Sequence, residues 1–206
     1  MVSVNREPLN LLEVFHAYGC LTNKRVVYFG HSEDSFKGEE DYVTANTASS
    51  TIKNLLYLDS IQTAPILFFI NSIGGHEGHG MAIYDVIKSI TSPVTLIAMG
   101  NLMSMATIIA QACDKRMALE NTTFMIHNGS EQWEGDPKTV KNWVDWSEKE
   151  RMKMYSLYLG KIKEKHPHYT FKQVEDLCEH DKILSAEEAC KLGLLDEVIK
   201  EIRWFK

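Results

Sequence analysis

No two of the four cysteines, Cys20, Cys113, Cys178 and Cys190, stand in C-x-x-C spacing. That excludes a dithiol redox motif and fits reduced thiols in a cytosol, so a cytoplasmic location is expected. Positive charge is scarce: 22 Lys and Arg against 28 Asp and Glu give a formal charge of -6, and no basic stripe suits nucleic acid. A Gly-rich phosphate loop of Walker type is missing, so the chain is not expected to hydrolyse ATP itself. Met1 to Asn10 carries Arg6 and Glu7 and no apolar core, which speaks against a signal peptide. His76-Glu77-Gly78-His79 is close to a zinc-protease motif, but its histidines are three rather than four apart and lie beside glycines. No metal and no cofactor are expected from it.

Val94 to Cys113 is 20 residues without a charge, about the length of a membrane span. Gly100-Asn101 in its middle, with Ser104, Thr107 and Gln111, reads instead as a strand (Val94 to Met99), a turn and a buried helix (Met103 to Cys113). No membrane partner is expected. Strand patterns also cover Arg25 to Phe29, Ile66 to Ile70, Arg116 to Leu119 and Thr123 to Ile126, and helical ones Val43 to Leu58 and Gly80 to Ser89. Such alternation predicts an α/β layer structure with mostly parallel strands. At 206 residues and 44% hydrophobic composition, one core and a single domain over 1–206 are the expectation. Asp136-Pro137 is an N-cap carboxylate followed by proline at the first helical position, opening a helix to about Lys165. Its Trp143 and Trp146 lie partly off the apolar stripe, so it has apolar surface to spare.

The reading of Val94 to Cys113 puts Ser104 in the first turn of a helix, where backbone N–H groups lack intrahelical acceptors and the dipole is positive. A serine there ordinarily just caps. It becomes a nucleophile only with a base in reach and a group to orient that base. His127 ends the short apolar strand Thr123 to Ile126 and is followed by a turn, which places its ring at a sheet edge. Asp181 lies before a helix signalled by Ser185 and Glu188, a capping box. Taken singly, the histidine reads first as a structural or surface residue and the aspartate as a solvated loop carboxylate. The order Ser, His, Asp, with Leu102 and Ala106 at the positions where a Gly-x-Ser-x-Gly elbow has glycine, argues against an α/β-hydrolase.

Five segments in order carry a resemblance: Ile70-Asn71-Ser72-Ile73-Gly74-Gly75; Gly80 to Asp85; Met99-Gly100 through Ser104-Met105-Ala106; Met125-Ile126-His127; and Asp181 with Leu184 to Ala189 and Gly193 to Asp196. The chain resembles the proteolytic-subunit family of the Clp protease, ClpP, within the ClpP/crotonase superfamily. The resemblance runs from about Lys24 to Lys200. It implies a spiral of ββα units with a protruding handle helix, residues 1–23 being an N-terminal segment and about 130–165 the handle region. It implies Ser104 as nucleophile, His127 as general base and then acid, Asp181 as the group holding the imidazole, and the N–H groups of Gly75 and Met105 as an oxyanion hole. Substrate is expected extended along a groove near Gly74 and Asn128, held by its backbone with little side-chain selectivity. Implied partners are unfolded polypeptides, copies of this chain in heptameric rings stacked in pairs, and an AAA+ ATPase unfoldase. The chain departs from the family pattern at Ile73 (usually Pro), Asn101-Leu102-Met103 (Gln-Ala-Ala), Asn128-Gly129 (Gln-Pro) and Lys182 (Arg), and Met1 to Asn23 lacks the usual Pro-containing pore-loop sequence.

The function expected is that of a serine endopeptidase subunit working inside a closed chamber. Two alternatives stand beside it: a catalytically idle ring member, against which the intact Ser104, His127 and Asp181 set speaks, and a crotonase-type acyl-CoA enzyme, which uses acidic side chains rather than a serine.

Overall fold

Apolar runs, glycine turns and capped helices alternate along the chain, and a computed structural model, describing residues 10–30 and 42–202, shows how they assemble. The readings made on Met1 to Leu9 concern residues outside the described ones. The elements are α1 (Leu11–Tyr18), β1 (Cys20–Leu21), β2 (Val26–Phe29), β3 (Tyr42–Val43), α2 (Ala45–Ile61), β4 (Ile66–Ser72), β5 (Gly74–Gly75) and α3 (Glu77–Ser89). There follow β6 (Val94–Met103), α4 (Met105–Ala112), β7 (Lys115–Leu119), β8 (Thr123–Ile126), α5 (Pro137–Lys165), α6 (Phe171–Cys178), β9 (Lys182–Ser185), α7 (Ala186–Leu192) and β10 (Glu197–Ile199).

The main sheet runs β1-β2-β4-β6-β7-β10, with β8 beside the far half of β6 and β9 beside β8. Only the β1/β2 and β8/β9 pairs in it are antiparallel. This is the expected α/β alternation. Period-2 geometry divides β4 between two layers: Phe68 and Ile70 enter the large core with Leu55, Ile83 and Ile108, while Phe69 joins Val26, Ile97 and Met117 on the opposite face. Both faces of the sheet are covered, which explains why β4 and β6 read as continuous apolar runs.

Most elements differ from the sequence reading by one to four residues at one end or both, and two of the shifts have a clear cause. The first strand begins at Val26 because Arg25 is left-handed (φ 53°). Its guanidinium there donates to the carbonyls of Leu58 (2.9 Å) and Ala64 (2.8 Å). More consequentially, the strand expected to stop at Met99 continues to Met103. Gly100 (φ 63°) bends it rather than ending it, and the Asn101 N–H donates to Asn71 Oδ1 at 2.8 Å. The pairing with β4 shifts register between Ile70 and Ser72 at the same place, as at a β-bulge. One strand therefore serves two neighbours: Thr95 to Ala98 pair with β7, Asn101 to Met103 with β8.

Helix α5 begins as its sequence signals require, with Asp136 Oδ1 accepting from the N–H groups of Lys138 (3.0 Å) and Thr139 (3.2 Å). Of its buried side chains, Ser147 lies in the first half, and Tyr155, Tyr158 and Ile162 lie in the second. The first turns leave Trp143, Val144 and Trp146 about half exposed, and Trp133 stacks on Trp143 with centroids 5.1 Å apart. No helix among the described residues is long and apolar enough to cross a membrane.

Arg116 is buried beneath β7 and β10, donating through Nε to Asp196 Oδ2 (3.1 Å) and through a terminal nitrogen to Gln111 Oε1 (2.7 Å). Burial pushes the Asp196 carboxyl up, but the hydrogen bonds and charge of Arg116 pull it further down, to a net position below the ordinary carboxylate range. A depressed acid stabilises the fold above its unfolded value of about 4 and loses that contribution as pH falls through its folded value. Removing the charge strands a buried guanidinium. Asp196→Asn is expected to lower the unfolding free energy at pH 7 by about 2 kcal/mol, less than the roughly 3–5 kcal/mol of a fully buried broken pair because the Asp196 side chain keeps 32% exposure. The variant's stability should also decline less than the parent's below pH 4; guanidinium chloride titrations at pH 7 and pH 3 check both.

Candidate active site

Strand β6 gives way to helix α4 across one residue, Ser104, whose φ of 51° and ψ of -127° belong to a region that side chains rarely occupy. The sequence reading put Ser104 inside the first helical turn. It is instead the residue before the helix, and it makes no side-chain cap, which leaves its hydroxyl for other partners. Such a conformation costs about 1–3 kcal/mol. Hydrogen bonds worth about 1 kcal/mol each offset it: the Ser104 N–H donates to the Met125 carbonyl (2.8 Å), and the Ser104 carbonyl accepts from the Thr107 N–H (2.9 Å) and hydroxyl (2.6 Å). The Thr107 hydroxyl in turn lies 2.6 Å from that of Tyr158 on α5.

Room for this turn comes from glycines in other segments. A Cβ on Gly74 (φ 99°) would stand 2.5 Å from Ser104 Cβ and 2.8 Å from the Met103 carbonyl oxygen. One on Gly80 would stand 2.3 Å from Met105 Cγ.

The other two predicted residues are brought to Ser104 by one ladder. Strands β8 and β9 are antiparallel, with Ile126 opposite Lys182. The next residue out on each side of that pair is His127 and Asp181. Strand β9 is an element the sequence reading passed over, having joined Asp181 only to the helix that follows. His127 Nδ1 lies 2.9 Å from Asp181 Oδ1, and His127 Nε2 lies 2.8 Å from Ser104 Oγ. With Nδ1 donating to the carboxylate, Nε2 accepts from the hydroxyl. The His127 side chain is 25% exposed and that of Asp181 66%, so water screens the aspartate's charge and its hydrogen bond acts chiefly by orienting the ring.

A cavity of about 300 Å³ opens beside Ser104 and His127, with Gly75, Met105 and Asn128 in its wall. Gly74 is buried behind Ser104 rather than in that wall. The Tyr155 hydroxyl donates to Asn128 Oδ1. Burial pushes the Tyr155 phenol up to about 12 and Tyr158 higher still, so both stay neutral donors at ordinary pH. Thr107, Tyr155 and Tyr158 have no site role in the sequence reading, where Thr107 is a polar residue of a buried helix and the two tyrosines belong to an apolar stripe; nothing in their spacing indicates which partners the hydroxyls meet. Burial raises the Cys20, Cys113 and Cys178 thiols, the last to about 12, which makes them poor nucleophiles beside an imidazole-bonded serine. Among the described residues no group of three or more His, Cys, Asp or Glu side chains is arranged to hold a metal ion.

Known proteins resemble this chain over most of its length. Residues 15–202 match the model of the family described as Clp protease. The ATP-dependent Clp protease proteolytic subunit of Deinococcus radiodurans is 33% identical over 194 residues, covering 92% of this chain and 87% of that protein. A solved ClpP1 mutant from Listeria monocytogenes aligns with a TM-score of 0.74 at 28% identity, covering 90% of this chain and 97% of that one.

Because a methyl at Gly74 meets Ser104 Cβ and the Met103 carbonyl oxygen rather than a yielding side-chain tip, Gly74→Ala is expected to displace the serine while leaving the sheet intact. A crystal structure of the variant should find Ser104 Oγ beyond hydrogen-bond reach of His127 Nε2. An unchanged separation of 2.8 Å would show that Gly74 is not what makes the room.

Proposed function

The chain belongs to the Clp protease family, and from that premise we propose that it is a serine endopeptidase subunit that cuts unfolded polypeptides by acyl-enzyme chemistry. The observation that carries the reading is the unbroken series from hydroxyl to imidazole to carboxylate, with separations of 2.8 Å and 2.9 Å. His127 takes the Ser104 proton as Oγ attacks a peptide carbonyl, then gives it to the leaving amine; water repeats the sequence to free the acyl group. Asp181 accepts from Nδ1 throughout and holds the ring tautomer that presents a bare Nε2.

The oxyanion falls to the N–H groups of Met105 and Gly75. Met105 opens α4, so its N–H has no carbonyl one turn earlier to bond. At β5 the ladder to β3 runs through the His76 N–H to the Val43 carbonyl (2.8 Å), and in extended backbone the preceding N–H, that of Gly75, points to the opposite side. Both residues line the cavity. A hydroxyl already bonded to imidazole favours this reading over a crotonase-type acyl-CoA enzyme, which would leave Ser104 without a role.

Assembly follows from the first turns of α5. Exposed Trp143, Val144 and Trp146, with the Trp133 stack, form an apolar surface suited to burial against a second ring, as a handle would be. The reading includes heptameric rings stacked in pairs and an AAA+ unfoldase feeding them.

Fluorophosphonate should label the parent and not Ser104→Ala; labelling that persists in the variant, or never occurs, rejects the serine mechanism. Asp181→Asn should fold normally and lose about a hundredfold in turnover, less than the roughly ten-thousandfold of a buried triad carboxylate because this one is screened. Fourteen copies of a 23.5 kDa chain give a native mass of about 330 kDa. Trp143→Lys with Trp146→Lys should halve it, and native mass spectrometry reads both values.

A further inference from the structure

The wall of the cavity beside Ser104 carries two carboxylates among apolar, aromatic and neutral polar side chains. Glu77 and Glu131 line it, no lysine or arginine does, and Met105, Ile108 and Met154 supply apolar surface. The two carboxylates are not equivalent. Glu131 accepts from the Ser147 hydroxyl. Glu77 Oε1 is buried and has no hydrogen-bond partner among the described residues. The bases that act on Glu77 from α5, Lys153 and Arg151, are each held by an acid of their own helix, Glu150 and Glu148. Burial, and after it the charges of Glu150 and Glu131, push the Glu77 carboxyl up. An acid in the first turn of a helix usually gains from the dipole, so here dehydration outweighs that gain.

A buried acceptor without a donor is costly to leave unmade, and the cost is recovered by any ligand that brings the donor. The ligand that reaches this site is the substrate side chain next to the serine. We propose that Glu77 makes the subsite beside Ser104 select for a lysine or arginine on the acyl side of the bond that is cut. The methylene stem lies along Met105, Ile108 and Met154, and the cationic end meets the Glu77 carboxylate. The inference rests on the peptidase reading and narrows, at one subsite, the low side-chain selectivity expected of a groove that holds substrate by its backbone.

Two fluorogenic peptides that differ only in Lys or Leu before the cleaved coumarin amide provide the test. The parent should favour the Lys peptide in kcat/KM by about tenfold or more, the worth of one charged hydrogen bond. Glu77→Gln should lower that ratio about tenfold, and Glu77→Leu should invert it in favour of the Leu peptide; a ratio taken within one preparation does not depend on how much of it has folded. A parent that prefers Leu, or a ratio that neither substitution moves, overturns the inference. Fluorophosphonate labelling of Ser104 in the same preparations keeps the two readings apart. Labelled enzyme without a Glu77-dependent ratio rejects the subsite assignment alone, whereas absent labelling rejects the peptidase reading and the subsite with it.

Discussion

The requirement that β6 end and α4 begin within a single residue governs the site. Ser104 meets it with a left-handed backbone, and the hydrogen bond from its N–H to the Met125 carbonyl is what ties the strained turn to the sheet. That bond belongs to the same stretch of pairing that aligns Met103 with Met125. Strand β8 thus supports the serine from below and, two residues after Met125, delivers His127 to its hydroxyl. The separation of Ser104 and His127 is set by sheet register, which cannot slip by one residue without turning every side chain of β8 to the wrong face.

A strained strand-to-helix serine in a nucleophile elbow has glycine two residues to either side to make space. Here those positions hold Leu102 and Ala106, both fully buried in the core. The space is made across the fold instead: Gly74 beneath Ser104, Gly80 beneath Met105. Both glycines belong to one segment, which also supplies Gly75 and Glu77 to the cavity. Packing of the serine and shape of the cavity are therefore properties of the same short stretch, so changes there affect both.

Helix α5 links distant parts of the molecule. Its exposed first turns carry Trp143 and Trp146, and its buried later part carries Tyr155, which donates to Asn128, and Tyr158, which reaches the Ser104 carbonyl through the Thr107 hydroxyl. Burial keeps both phenols neutral, so they hold these contacts as donors over the ordinary pH range. An exposed apolar surface and the support of Ser104 thus stand on one helix.

Much of this was legible from local signals, because local signals act over a few residues. Alternating apolar segments determined the α/β class; Asp136-Pro137 and the Ser185 to Glu188 capping box determined where α5 and α7 begin. The three chemically distinctive residues could be picked out by type and context. What the sequence could not determine was the meaning of Gly100-Asn101, which reads as a turn and is a bend inside a strand, since a glycine with positive φ serves either use and only the Asn71 side chain and the β4 register decide between them. Nor could it reveal β9, four residues whose strand character exists only because β8 lies alongside. Tertiary structure alone decided that Ser104 stands ahead of its helix, that His127 and Asp181 flank the same cross-strand pair, and that Glu77 faces a dehydrated wall, because each depends on contacts between segments tens of residues apart, and such contacts leave no trace in the spacing of neighbours.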